Sequence, residues 1–281
     1  RTGVSYPAAR VEVLSELSPE VAIETVMSPN NILGIEYLKA LQTTASPMQA
    51  FTVLRKGAGY HSTDVKSQIA SATGIRKLLD EDGKIDKLIP ADCFNILSEA
   101  LAEGRSLDPE RLFTVLQTFL LQERERLSGL YQVEDGLGQR LVDAAMTATS
   151  YAGLADAIKS RHWTLTRIQR ILSYVLLQVT GDEMGRFLET GPLYLRMLGA
   201  TAKGRKVLAK ARKQRSLPMI SDPARGLATL RRFYGGQTDS CRLAERMLAC
   251  DLRATRMYGL LQKVPELGHR NQDFFRDCLG G

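Results

Sequence analysis

The chain is poor in the residues that usually carry cofactor or redox chemistry. It has four cysteines and three histidines in 281 residues. Cys93, Cys241, Cys250 and Cys278 are scattered, with no C-x-x-C pair. That spacing argues against a disulfide scaffold and against a zinc site, and it fits a reducing cytoplasm in which the thiols act as small hydrophobes. Aromatic residues make up only 6% of the chain, with a single tryptophan. Long hydrophobic runs are also lacking. The best stretch, Ile168 to Val179, is interrupted by Arg170 and Gln178 and falls short of the roughly 18 residues of a membrane span, so no membrane partner is expected. The start, Arg1-Thr2-Gly3-Val4-Ser5-Tyr6-Pro7, carries no charged-then-apolar signal pattern and reads as a fragment or processed form. There is no internal repeat and no low-complexity tract, and no paired carboxylates in the front third suggest a metal cage.

Hydrophobic residues, at 44%, suffice for a real core, and a net charge of +7 is unevenly distributed. Residues 1–90 hold ten basic and ten acidic side chains, so the whole excess lies beyond them. Between 161 and 215, twelve Lys or Arg stand against Asp182, Glu183 and Glu189. A neutral front and a basic back suggest a catalytic part joined to a part that binds a polyanion.

Helical spacing dominates. It predicts helices over Pro7 to Leu17, Asn31 to Leu41, 73–80, 92–103, 109–127, 137–147, 152–160 and 165–179. Asp108-Pro109 is a capping side chain followed by proline at the first helical position. Ala50 to Leu54 reads as a short strand. Leu193 to Leu198, Lys203 to Lys213 and Leu217 to Ile220 read as strand, basic helix and strand, a small parallel unit with a right-handed crossover. Helices at about 225–234 and 238–261 close the chain. The expected class is mostly α (α+β), with a first domain over 1–88 and a helical, basic domain over 89–281.

Three motifs in the first third have residue types suited to a nucleotide. Ser71-Ala72-Thr73-Gly74-Ile75-Arg76 puts capping hydroxyls and a glycine at a helix start, where free amides and a partial positive charge receive phosphate and Arg76 could clamp an oxygen. An ordinary helix cap with a solvated arginine is the alternative. Arg55-Lys56-Gly57-Ala58-Gly59-Tyr60-His61 follows the expected strand, the place where ligands sit in open parallel sheets; the alternative is a glycine-rich turn with surface charges. Ser28-Pro29-Asn30-Asn31 enters a helix, where the two amides could cap it or read an adenine edge or ribose hydroxyls. The phosphate argument makes Asn30, Ser71, Thr73 and Arg76 candidate nucleotide contacts.

Behind them, seven Lys or Arg occur in the thirteen residues from Lys203 to Arg215 without one acid. Lys203, Lys206, Lys210 and Lys213 recur at three and four and form one stripe, with Arg205 beside it. An RNA phosphate backbone suits this stripe, while a merely solvated face is the alternative. Trp163, with His162, could stack on a splayed base or simply pack in the core, and packing is the preferred reading.

The strings Ser28 to Tyr37, Gly57 to His61 and Ser71 to Arg76 resemble the tRNA(Met) cytidine acetate ligase family, and Ser71 to Arg76 also resembles a signature of the wider nucleotidyltransferase superfamily. The resemblance extends through Leu127 to Arg140, Thr164 to Leu177, Tyr194 to Lys206 and Asp251 to Tyr258. It implies a Rossmann-like nucleotidyltransferase domain followed by a helical one. It also implies use of ATP, with Mg²⁺ carried mostly by its phosphates, to activate acetate as acetyl-adenylate. The acetyl group would then pass to the wobble cytidine of elongator tRNA(Met). By motif position, Asn31 and Arg55 would match nucleotide-contacting residues.

One departure stands out. The superfamily's His-x-Gly-His motif is not found, since His61, His162 and His269 are nowhere paired at that spacing, and the opening strands of a Rossmann sheet are not evident. The expectation is therefore a chain lacking its N-terminal part, with a remnant of the Rossmann-like domain and little acetate activation on its own. No residue is singled out as catalytic. Two other readings remain open: an RNA-binding module with vestigial nucleotide motifs, and a nucleotidyltransferase acting on a small metabolite.

Overall fold

Asp108 and Pro109 start the helix on which the larger core is built. In a computed structural model of the chain, the Asp108 carboxylate accepts the backbone amides of Glu110 (2.9 Å) and Arg111 (3.3 Å), satisfying two donors that a helix leaves free at its start. The residues described are 11–13, 15–16, 28–53, 70–81, 83–134, 136–160, 163–211, 214–266 and 270–275, with Pro29 and Phe275 described through their backbone only. The chain divides into two compact units, residues 1–88 and 89–281.

In the first unit, positions 11–13 and 15–16 are helical. They are followed by α1 (Pro29–Thr43) and α2 (Ala72–Asp80). The expected strand is not formed over its described residues, Ala50 to Val53, and Leu54 lies outside them. Phe51 and Val53 are 86% and 94% exposed, so the segment has local strand character but, among the described residues, no neighbouring strand to take its backbone groups. No strand occurs among the described residues of this unit.

The second unit begins with α3 (Ala91–Ala102) and α4 (Pro109–Gln122). The helix expected to run to residue 127 instead stops at Gln122, and a 3₁₀ turn over Arg124–Gly129 carries Leu127 into the core. Next come α5 (Leu137–Thr147), α6 (Tyr151–Ile158) and α7 (Leu165–Leu177). α4 packs on α5, α6 and α7, and α6 packs on both α5 and α7. Apolar residues at helical spacing explain why. Phe113, Leu116 and Leu120 of α4 and Ile168, Ile171, Leu172 and Val175 of α7 all point into one cluster. Each fully buried Leu or Ile there stabilises the fold by about 1.5–3 kcal/mol. α7 ends where Gln178 adopts a left-handed φ of 50°.

α8 (Gly181–Thr190) is not among the helices expected from the apolar spacing. Thr180 caps it by accepting the Glu183 amide at 3.2 Å, and Asp182 and Glu183 sit favourably in its positive first turn. Then comes the expected strand–helix–strand unit: β1 (Leu195–Arg196), α9 (Ala202–Ala211) and β2 (Met219–Ile220). The strands are parallel, with Leu195 opposite Met219 and Arg196 opposite Ile220. They are shorter than the runs Leu193 to Leu198 and Leu217 to Ile220. Pro218 has no N–H, so it contributes only its carbonyl, which accepts the Leu195 amide at 2.9 Å. α10 (Gly226–Tyr234), α11 (Asp239–Leu260) and α12 (Gln272–Phe275) complete the unit. Leu193, Ile220, Leu230, Leu243, Ala244 and Leu248 form a second apolar cluster beneath this βαβ element. The architecture is mostly helical with one small parallel sheet. No helix among the described residues is long and apolar enough to cross a membrane.

Candidate functional site

In the first unit the nucleotide motifs fall on two helix starts. Ser28 is the extended residue before α1, and Pro29 follows at the first helical position. Asn30 and Asn31 are therefore inside the first turn, both exposed, and Ser28 makes no side-chain cap. The first turn of α1 holds no acidic residue, so its positive end stays available to an anion.

At α2 the arrangement differs. Ser71 is only 4% exposed, and its Oγ accepts the Gly74 amide at 3.0 Å, which makes it the N-cap. The capping role raised as the alternative is thus realised at Ser71. Thr73 and Arg76, three residues apart, lie exposed on one face of the same helix start, again with no acid in the first turn. Ser71, Thr73 and Arg76 are brought together there. Arg55 and the loop Gly57 to His61 lie outside the described residues.

In the second unit α9 carries Lys203, Lys206 and Lys210 along one exposed face, and Lys213 lies outside the described residues. The Thr201 hydroxyl caps this helix by accepting the Gly204 amide at 3.1 Å. Arg205 leaves the stripe and reaches back to donate to the Ala200 carbonyl at 3.2 Å. Trp163 is half-buried against the larger cluster, with the Arg140 guanidinium 5.9 Å from its ring centre. It packs as a core aromatic. Its companion His162 is outside the described residues.

A cavity of about 580 Å³ lies between the end of α8, β1 and α11. Phe187, Leu188, Leu193 and Met247 supply apolar walls, and Tyr194, Arg196 and Asp251 supply polar groups. Those polar groups are already engaged. The Tyr194 hydroxyl donates to Asp251, and Arg196 pairs with Asp273. Burial, followed by the Asp251 contact, pushes the Tyr194 phenol far above its ordinary range. Burial likewise raises the Cys250 thiol, leaving it a neutral and poor nucleophile. None of the candidate residues lines this cavity. The composition of the chain gave no signal for it, because its walls come from three separated elements. Among the described residues no group of three or more His, Cys, Asp or Glu side chains could hold a metal ion.

The sequence and the fold can be set beside known proteins. The family described as HIGH Nucleotidyl Transferase matches residues 1–273. That match includes the first residue of the chain. The chain is 46% identical to a tRNA(Met) cytidine acetate ligase of Syntrophotalea carbinolica, over 99% of the chain and 67% of that protein. It is 33% identical to the protein of the same name from Halothermothrix orenii, over 97% and 66%. The chain thus spans about two thirds of the length of the curated relatives it matches. Among solved structures, the Thermotoga maritima TmcAL apo crystal structure superposes with a TM-score of 0.84 at 26% identity, covering 99% of this chain and 67% of that one. A crystal structure of the same protein bound with alpha-thio ATP superposes with a TM-score of 0.82 at 26% identity, with the same coverage.

Proposed function

We infer the activity from one premise: the chain belongs to the HIGH nucleotidyl transferase family and, within it, to the tRNA(Met) cytidine acetate ligases, enzymes of the nucleotidyltransferase superfamily. We propose that it works in an ATP-dependent ligase that acetylates the wobble cytidine of elongator tRNA(Met). The acetate carboxylate attacks the α-phosphate of ATP, pyrophosphate leaves, and acetyl-adenylate forms. The exocyclic amine of the cytidine then attacks the acyl carbon, AMP leaves, and the amine gives up a proton.

In this reading Asn30, Asn31 and Arg55 contact the nucleotide. The acid-free start of α2 faces its phosphates, Thr73 and Arg76 reach them directly, and Ser71 holds the helix start in shape. Mg²⁺ arrives with the ATP phosphates and needs few protein ligands. The stripe Lys203, Lys206, Lys210 and Lys213, with Arg205, meets the tRNA backbone, and the reaction takes place in the cytoplasm. Support for the reading rests on one observation, the 46% identity to a ligase of this name over nearly the whole chain.

The test is nucleoside mass spectrometry of elongator tRNA(Met) incubated with the protein, acetate and ATP. N4-acetylcytidine that requires both ATP and acetate is the expected product. Its absence from reactions with folded protein would refute the assignment.

A further inference from the structure

A second pocket, of about 340 Å³, is lined by residues of the βαβ element and α10. Met197, Met219, Leu208 and Ala209 supply its apolar lining. Three arginines converge on it from three different places. Arg205 comes from α9, Arg215 from the segment entering β2, and Arg232 from α10. Among the described residues no acidic side chain lines the pocket.

Neighbouring arginines show that this is not simply a basic surface. On α10, Arg231 binds Glu245 at 2.6 Å, and Arg225, just before the helix, binds Asp222 at 3.4 Å. Arg232 is the next residue after Arg231, yet it points to a different side and makes no ion pair with any described residue, as is also true of Arg205 and Arg215. Each paired arginine nearby has its charge answered locally. Among the described residues, the three in the pocket have no such partner.

Position strengthens the argument. Met197 and Ser221, which line the pocket, are the residues immediately after β1 and β2. In parallel βαβ units ligands bind beyond the carboxyl ends of the strands. Arginine forks match the geometry of phosphate oxygens, and three of them beside apolar side chains make a site suited to an anion. The pocket shares α9 with the lysine stripe, so an anionic chain lying along Lys203, Lys206 and Lys210 would have a further phosphate at Arg205.

We propose that this pocket receives a phosphodiester group of the RNA substrate, gripped by Arg215 and Arg232 with Arg205 at its rim. The proposal rests on the tRNA-modifying reading given above and adds to it a specific anchoring site away from the exposed stripe.

The experiment measures the affinity of the full protein for elongator tRNA(Met) across a series of salt concentrations. It compares wild type, Arg215→Gln, Arg232→Gln, the double variant, and Arg225→Gln as a basic residue outside the pocket. Each pocket substitution is expected to weaken binding several-fold, and to lower the slope of log K against log salt by about 0.7–0.9 for each phosphate that is no longer neutralised. Arg225→Gln should match wild type. ATP affinity should stay unchanged in every variant. The Trp163 unfolding midpoint checks folding, and if Arg232→Gln proves unstable, Arg232→Lys keeps the charge without the fork and should give an intermediate loss.

Pocket variants with wild-type affinity and slope, alongside a weakened Lys206→Gln, would overturn the pocket while leaving the tRNA reading intact. A wild-type protein that binds no tRNA would overturn both. A further arm titrates inorganic phosphate at constant ionic strength. Thermal stabilisation of wild type, lost in the double variant while its tRNA affinity is kept, would assign the pocket to a free phosphate group and overturn the RNA assignment.

Discussion

Arg140 is a side chain whose removal should be felt well beyond its own position. From α5 its guanidinium donates to three carbonyls at the end of α6: Ile158 at 2.8 Å, Ala157 at 2.9 Å and Lys159 at 3.0 Å. A helix end leaves its last carbonyls without partners and carries partial negative charge, so one cation there satisfies both needs. The same group lies 5.9 Å from the Trp163 ring centre. In Arg140→Ala the part-buried Ile158 carbonyl loses its donor, at about 1–3 kcal/mol. The two exposed carbonyls turn to water and add little. Loss of the cation over the ring costs about 0.5–1 kcal/mol, and loss of charge at the helix end about 0.3–1 kcal/mol. The total is about 2–5 kcal/mol, or a fall in Tm of roughly 4–20 °C for a unit of this size. Trp163 is the only tryptophan in the chain, so its fluorescence reports the transition directly. Arg140→Lys keeps the charge and loses the fork, and should fall about halfway. A midpoint for Arg140→Ala within about 1 °C of wild type would refute the view that this arginine locks α6 to α5.

Other substitutions separate packing from chemistry. A Cβ on Gly226 would lie 2.6 Å from Leu248 Cδ2 in the second cluster, so Gly226→Ala should destabilise by about 1–3 kcal/mol against a helix-propensity gain of about 1 kcal/mol. A rise in the urea midpoint would show that Leu248 moves aside freely. Ser71→Ala removes the cap on Gly74 and should cost about 0.5–2 kcal/mol, seen as faster amide exchange at the start of α2; unchanged exchange would deny Ser71 its capping role. Arg76→Ala, on an exposed face, should leave stability within about 0.5 kcal/mol while lowering ATP affinity, and unchanged affinity would remove Arg76 from the phosphate site. Maleimide near neutral pH should modify exposed Cys93 well before buried Cys241, whose thiol is raised by burial and by Glu245; comparable rates at the two, read by peptide mass mapping, would contradict the packing around α11.

What the sequence disclosed follows from the range of the forces involved. Ile168, Ile171, Leu172 and Val175 mark a helix because side-chain burial repeats with the backbone period, and Asp108-Pro109 marks a start because capping is local. The parallel pair and its crossover helix were legible for the same reason, though Pro218 shortened the ladder. α8 carries an equally local signal that the apolar spacing does not show: Thr180-Gly181-Asp182-Glu183 has the spacing of a capping box, hidden beside the longer apolar run that precedes it. Ala50 to Val53 failed in the opposite way, since strand propensity says nothing about whether a partner strand exists. The candidate site divides along the same line. A lysine stripe at intervals of three and four can be read off the chain. The pocket formed by Arg205, Arg215 and Arg232 cannot, because three elements must fold before these arginines meet. Nor does the sequence distinguish Arg232 from Arg231, which differ only in which one finds Glu245.

That last difference explains where the excess charge of the chain takes effect. Around the second cluster, Arg196, Arg225, Arg231, Arg242 and Arg246 each face an acidic partner, namely Asp273, Asp222, Glu245, Asp239 and Glu183. Such pairs contribute structure and little net field. Lys203, Lys206 and Lys210 on the outer face of α9, and Arg205, Arg215 and Arg232 in the pocket beside it, form no ion pair with any described residue. One concentration of positive charge without a described acidic partner thus lies on α9 and in its adjoining pocket. Summed charge of one sign beside low-dielectric walls attracts a polyanion at long range, and the arginine forks then fix its register at short range. Under the proposed RNA assignment, the two sets of basic residues around α9 would act at different stages of one encounter, the lysines in capture and the arginines in placement.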